Sequence, residues 1–268
     1  MKIKGISSAM YGWMATYWKQ GLDPRWDEIY RDCAASGLNG VEIEAATGDP
    51  ELLRANGLAV SSAYIGLPLH EPYETLPVAD AVIPLARRLA EAGGADLVVN
   101  ADPKGGWDAP QPKSEDEFKR QGENLSRIAD AVSGLGLRIS MHNHASDRHN
   151  AEGDLRSVLD YADPLVGLCI DTGWAHVAGC DPAQLIRANP GRIYAFHLRN
   201  QLGNVSTEDL LSGEIDMRDL IAACAEIGYE GWLVLELLPP DEYPGKRTMS
   251  DNTALSVQYL KQLLEAWN

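Results

Sequence analysis

The sequence predicts an α/β protein, a single (β/α)8 TIM-barrel domain over residues 1–268. Three observations predict it. Short apolar runs alternate strictly with amphipathic stretches, eight of each, which is the pattern of a parallel sheet covered by helices. Glycine stands at or just past the expected helix ends in ASGLNG, RANGLAV, EAGGADL, SGLGLRI and EIGYEGW, where a left-handed cap precedes the next strand. Finally, His142, Asp171, His197 and Glu236 each close an apolar run (LRISMH, VGLCID, RIYAFH, WLVLE) at intervals of 29, 26 and 39 residues, about one strand-plus-helix unit each. A closed barrel brings such strand ends to one mouth.

In chain order, strands are expected over 4–8, 40–44, 59–66, 96–100, 137–142, 166–171, 192–198 and 232–237. Helices are expected over 25–36, 50–56, 78–92, 114–135, 153–162, 182–188, 217–227 and 251–267. Asp49–Pro50 and Asp181–Pro182 pair an N-cap acid with proline at the first helical position. The Pro-, Gly- and Asp-rich stretch 101–113 follows the fourth strand, where a barrel carries functional loops. An open doubly wound sheet is disfavoured, because the first turn, MYGWMATYW, has no glycine-rich phosphate pattern.

A chain of 268 residues suits one such barrel, and 45% hydrophobic residues is ordinary for a soluble protein. A net charge of −16 disfavours nucleic-acid phosphates and anionic membranes as partners. No apolar run approaches the ~20 residues of a membrane span, and the N-terminus has no signal-peptide core. Cys33, Cys169, Cys180 and Cys224 form no CxxC pair, which fits a reducing, cytoplasmic compartment.

Two imidazoles and two carboxylates at one mouth, His142, Asp171, His197 and Glu236, form a ligand set for a divalent cation. Manganese is expected, with cobalt, magnesium and zinc open, because mixed N/O ligands select weakly among them. Asp171 alone also fits an N-cap, and His197 alone a packed core residue. Glu236 is harder to dismiss, since a carboxylate in an apolar run needs a partner. All six histidines, His70, His142, His144, His149, His176 and His197, fall outside the expected helices and follow strands. Glu42 and Glu44 share one side of GVEIE, to bind substrate hydroxyls, to hold a ligand histidine, or to pair with a lysine or arginine at the barrel rim. Trp13 (with Tyr11, Tyr17 and Trp18), Tyr64, Trp107 and Trp174 place aromatic faces near the mouth, suited to a sugar or polyol ring, to loop packing, or to a subunit contact. A homo-oligomer or association with a second subunit is therefore left open. Arg199, two residues past His197, can hold a carbonyl or enolate oxygen or pair with Glu42 or Glu44.

At GLNGVEIE, MHNH, DTGWAHVAGCDP, GRIYAFHLRNQ and GEIDMRDLIAACAEIGYEGWLVLEL the chain resembles the xylose-isomerase-like TIM-barrel superfamily, in its sugar phosphate isomerase/epimerase branch, which includes inosose dehydratases. The resemblance implies metal ligands at His142, Asp171, His197 and Glu236. The chemistry expected with it is proton removal beside a carbonyl, with Glu236 as base, Arg199 and His176 as assistants, His144 as reserve ligand, and His144 or Glu44 next in line as base. Many members carry glutamate at the position of His142, so Glu236 remains the one acid of their base pair. The expected activity is sugar isomerisation or epimerisation, with β-elimination from an inosose or 3-keto-glycoside as the alternative. An abasic-site endonuclease of this fold is disfavoured by the acidic charge, and a non-enzymatic sugar-binding subunit by the intact ligand set. The mouth cations Lys104, Arg148, Arg199, Lys246 and Arg247 are scattered, which points to a non-phosphorylated substrate.

Overall fold

The computed structural model describes residues 1–145, 147–238 and 247–267. Lys246, one of the expected mouth cations, lies outside the described residues. The barrel strands are β1 (Lys2–Ser8), β2 (Gly40–Ile43), β3 (Ala59–Leu67), β4 (Asp96–Ala101), β5 (Arg138–His142), β6 (Val166–Asp171), β7 (Ile193–Leu198) and β10 (Glu230–Leu235). They close in the order β1-β10-β7-β6-β5-β4-β3-β2, and β1 pairs in parallel with both β10 and β2. The expected (β/α)8 barrel is therefore the fold. The helices are α1 (Tyr11–Trp18), α2 (Trp26–Ala35), α3 (Pro50–Ala55), α4 (Ile83–Glu91), α5 (Glu115–Val132), α6 (Arg148–Leu159), α7 (Thr172–Val177), α8 (Pro182–Ala188), α9 (Met217–Glu226) and α10 (Met249–Glu265). A small hairpin of β8 (Gln201–Leu202) and β9 (Val205–Ser206) follows β7. Among the described residues no helix is long and apolar enough to cross a membrane.

Local chemistry sets the helix starts. The Asp49 carboxylate accepts from Glu51 and Leu52 N–H, and Asp181 accepts from Ala183 and Gln184 N–H, as the two Asp-Pro pairs predict. Ser114 with Glu117 and Thr248 with Asp251 form capping boxes on α5 and α10. The five glycines read as helix stops, Gly37, Gly57, Gly93, Gly136 and Gly228, all have φ between 67° and 85°.

Several elements differ from the sequence expectation. The segment after β1, expected as a loop, is helix α1. Helix α6 starts at Arg148 rather than 153, because Asp147 caps it by accepting from Asn150 N–H. Helix α7 follows β6 directly, capped by Asp171 itself. His149 and His176 consequently lie in helices, against expectation. Glu44 falls past β2 because its N–H donates to Thr47 Oγ1 instead of a neighbouring strand.

Apolar residues form one large core and two small clusters, one of them Ala145, Ala151 and Ala178. Most pack between the strands and the helices; a smaller cluster, Val98, Cys169 and Ala195 with Tyr64, sits apart from it. At the strand N-termini, Arg138 Nε donates to Asp96 Oδ1 at 2.6 Å, joining the first residues of β4 and β5. Register then aligns the other end: His142 lies beside Asn100, Asp171 beside His197, and His197 beside Val234, two residues before Glu236.

Helix α1 meets the end of β10 through Gly12. A Cβ there would lie 2.0 Å from Leu237 O and 2.9 Å from Met249 Cε. We expect Gly12→Ala to cost about 1–3 kcal/mol by overpacking, read as a lower urea midpoint, and to displace the backbone beside Glu236.

Candidate metal centre and active site

The four strand-end residues converge. One ligating atom from each of His142, Asp171, His197 and Glu236 lies within 4.8 Å of the others. Atoms bound to a common ion at ~2.0–2.2 Å stand at most about 4.4 Å apart, so closure by a few tenths of an ångström completes coordination. His142 Nε2 lies 3.5 Å from Asp171 Oδ2, and His197 Nδ1 lies 3.5 Å from Glu236 Oε2. All four of these atoms are buried and lack a hydrogen-bond partner. Buried polar atoms without partners are costly, and a cation at their centre satisfies the whole set. The residues fit a divalent metal.

Each ligand is oriented from behind. His142 Nδ1 is 3.0 Å from Asn100 Oδ1, and Asn100 Nδ2 donates to Asp102 Oδ1, which leaves His142 Nε2 free for the centre. His197 Nε2 lies 2.8 Å from Glu42 Oε1, an ion-pair contact without hydrogen-bond alignment, and Ser62 Oγ donates to Glu42 Oε2. Glu42, expected also to face substrate, is thus engaged with the ligand histidine. Asp171 is clasped at its backbone by Asn143, which accepts from Asp171 N–H and donates to Asp171 O. Its Oδ1 accepts from Trp174 N–H at 2.6 Å and from Arg199 Nε at 3.1 Å, so only Oδ2 is left for the centre. Gly173 lets Arg199 pass, since a Cβ there would sit 2.6 Å from Arg199 Nε.

The electrostatics follow from this crowding. Burial opposes ionisation of Asp171, but the Arg199 guanidinium and His142 hold its carboxyl well below the usual range. Burial also opposes charge on His197, yet Glu42 and Glu236 outweigh it and raise the imidazole well above its ordinary value. Burial first, then His197, lowers His142 to about 4. His144 is lowered to about 4 by burial and by His142.

Above the centre lies a cavity of about 500 Å³, lined by Tyr11, Glu44, Tyr64, Trp107, His144, Trp174, Arg199 and Glu236 among others. Tyr64 packs against both ligand imidazoles, 5.5 Å from the His142 ring and 5.7 Å from the His197 ring. His144 is held between Trp107, at 4.5 Å, and Trp174, at 4.2 Å. Arg199 lies over the Trp174 ring at 5.0 Å, and its Nη2 is buried without a partner.

Two expected residues are elsewhere. Trp13 is buried, its Nε1 donates to Ser8 Oγ, and it borders a larger groove of about 780 Å³ between α1, α2 and the start of α10. That groove carries none of the clustered ligands. Helix α1 turns Tyr11, not Trp13, into the cavity. His176 points away from the centre: its Nε2 lies 3.0 Å from Glu214 Oε2, at a separate surface pocket. Sequence reasoning missed Asn100 and Asn143. Asn100 had a usable signal, since it is a polar residue near the end of the apolar run DLVVNA.

Residues 30–263 match the xylose isomerase-like TIM barrel family, and the chain belongs to it. Inosose dehydratase of Lacticaseibacillus casei is 24% identical over 90% of this chain and 90% of its own length. Among solved structures, D-allulose 3-epimerase from Methylomonas sp. in complex with D-allulose superposes with a TM-score of 0.71, 18% identity and 98% coverage of both chains. A sugar phosphate isomerase/epimerase from Parabacteroides distasonis ATCC 8503 gives a TM-score of 0.69 at 19% identity, covering 96% of this chain and 93% of that one. At these identities the solved structures bear on the fold.

Glu44, half-buried, is raised to about 7 by burial and then by Glu42 and Glu236. An unfolded glutamate titrates near 4.3, so the folded chain holds this proton more tightly and loses stability as pH rises from about 4 to 7. In metal-free protein, Glu44→Gln should match the parent near pH 4.5 and exceed it by up to about 3 kcal/mol at pH 8, read as a higher thermal midpoint. Equal midpoints at pH 8 would remove the strained carboxylate.

Proposed function

We propose that this protein is a divalent-metal-dependent isomerase or epimerase of a non-phosphorylated carbohydrate or keto-sugar. The observation that carries the reading is the convergence of four buried, partnerless ligand atoms at the floor of a ring-sized cavity. His142 Nε2, Asp171 Oδ2, His197 Nδ1 and Glu236 Oε2 would hold the ion, manganese first with cobalt, magnesium or zinc as alternatives. When bound, the ion supplies Lewis-acid polarisation of a substrate oxygen.

The chain's own residues do the rest. Glu236 removes the proton from the carbon beside the carbonyl. Arg199 Nη2, which has no partner of its own, donates to the oxygen where negative charge develops. Glu44 binds ring hydroxyls, and Tyr64, Trp107 and Trp174 cover the CH faces of the sugar. His144, lowered to about 4, stays a neutral imidazole at pH 7 and can accept or donate a hydrogen bond at the cavity wall.

Reprotonation of the enolised sugar gives isomerisation or epimerisation, and loss of a β-oxygen gives elimination. Two observations favour elimination as the second reading. The cluster holds His142 where the resemblance leads one to expect glutamate, which leaves Glu236 as the one acid of a two-base pair, and a relative matching 90% of the chain is an inosose dehydratase.

Metal analysis by mass spectrometry on protein purified without added metal should find about one divalent ion per chain. Asp171→Ala and His197→Ala should each bring it near zero, and full retention in both removes the assignment. Glu236→Gln should keep part of the metal yet lose at least about 100-fold in solvent deuterium exchange into a keto-sugar. Near-parental exchange moves the base elsewhere. Lys104, Arg148 and Arg247 are paired with Glu117, Glu152 and Asp209, and Arg199 with Asp171. We therefore expect kcat/KM for a free sugar to exceed that for its phosphate ester, and a large reverse preference overturns the non-phosphorylated reading.

A further inference from the structure

The turn that carries Glu44 is held by a residue outside the cavity. Glu44 stands one residue past β2, half-buried, and lines the cavity with Glu236. Among the described residues no hydrogen bond reaches its carboxyl, whereas its backbone N–H and C=O are both bonded. Burial first, then Glu42 and Glu236, raises that carboxyl to about 7, with His197 opposing. Like charge therefore crowds the side chain, and no partner fixes it. Its position is inherited from the backbone of the turn 44–48. Arg88, on α4, holds that turn. Its Nη1 donates to Ala45 O at 2.7 Å and to Glu44 O at 3.3 Å, and its Nη2 donates to Thr47 O. Three carbonyls of one turn converge on a planar guanidinium, a geometry that a lysine ammonium does not match. Among the described residues Arg88 pairs with no carboxylate, so these carbonyls are its partners. Thr47 Oγ1 accepts from Glu44 N–H at 2.7 Å, and the hydroxyl of buried Tyr30 accepts from Gly48 N–H at 2.8 Å. Gly48 closes the turn at φ 84°, where a Cβ would lie 2.5 Å from Ile43 Cγ2. Ala45 and Ala46, at the apex, are exposed and give the turn little packing of its own.

We propose that Arg88 is a positioning residue, which clamps the turn after β2 so that Glu44 projects into the cavity and binds a substrate hydroxyl. The proposal rests on the carbohydrate reading and deepens it, because hydroxyl recognition then depends on a guanidinium that does not line the cavity. Arg88 acts through the backbone of Glu44 and takes no part in proton transfer. Loss of the clamp removes an interaction made equally in the bound substrate and in the transition state, so KM rises and kcat stays.

The test pairs two measurements on manganese-loaded Arg88→Met. Amide hydrogen exchange by mass spectrometry should quicken about tenfold or more at Glu44, Thr47 and Gly48, with β5, β6 and β7 at parental rates. Solvent deuterium exchange into D-fructose, D-allulose and D-tagatose should show KM raised about tenfold, in line with one lost hydrogen bond to a charged group, and kcat within about twofold of the parent. In a Glu44→Gln background, Arg88→Met should raise KM by less than about twofold further, because both changes remove one interaction. Arg88→Lys keeps the charge without the fork; it should show the same changes at smaller size, and it replaces the methionine variant should that one fail to fold. Parental amide exchange at the turn overturns the clamp. A loosened turn with an unchanged KM, or a rise in KM that persists in full beside Glu44→Gln, overturns the positioning role. The same measurements separate this proposal from the reading beneath it. Exchange into a keto-sugar by the parent, with KM indifferent to Arg88, rejects Arg88 alone. No exchange into any of the three sugars by the parent rejects the carbohydrate reading and the hydroxyl role of Glu44 with it.

Discussion

Asp171 and Glu236 bring two carboxylates into one buried space beside two imidazoles, with one guanidinium for company. Charges taken out of water are tolerated only when paired and hydrogen-bonded. Arg199 donates to one oxygen of Asp171, and among the described residues no hydrogen bond reaches Oδ2 of Asp171 or Oε2 of Glu236, which face His142 and His197 at 3.5 Å. That unmet demand organises the mouth. Beside it, Glu42 and then Glu236 outweigh burial and raise the His197 imidazole well above its ordinary value.

The surrounding residues read as devices for holding that arrangement still. Asn100 and Glu42 stand behind the two imidazoles, and Asn143 clasps the backbone at Asp171. Thr172 Oγ1 links the chain after β6 to Arg199, donating to Arg199 O and accepting from Arg199 N–H. Rings and carboxylates oriented this way lose little freedom when they ligate, which raises affinity without adding contacts. The loop that carries Trp107 is anchored beneath by Lys113, whose buried Nζ donates to Asp154 and Gln121 and whose N–H donates to Asn150. The aromatic wall therefore stands on a fully bonded ion pair.

Aromatic walls above a charged floor separate two tasks. The floor offers charge and directed hydrogen-bonding groups, and the walls offer flat polarisable faces. Among the described residues, Lys104, Arg148 and Arg199 near the mouth each pair with a carboxylate.

The sequence by itself determined the barrel and which four polar residues close its strands at the mouth. Both are written in short-range terms: apolar runs of strand length, Asp-Pro caps, glycine at helix stops, and a polar residue closing each of four runs. Each of these is decided within a few residues, so each survives reading without a fold. Only the tertiary structure decided which aromatic residue reaches the cavity, because Tyr11 and Trp13 differ by two positions on a helix whose rotation is set by Gly12 against Leu237. Only it turned Glu42 toward His197, sent His176 to Glu214, and brought Asn100 behind His142. Those partners come from other strands and loops, and closure of the barrel with its strand register sets their distances, a long-range constraint that no local pattern carries.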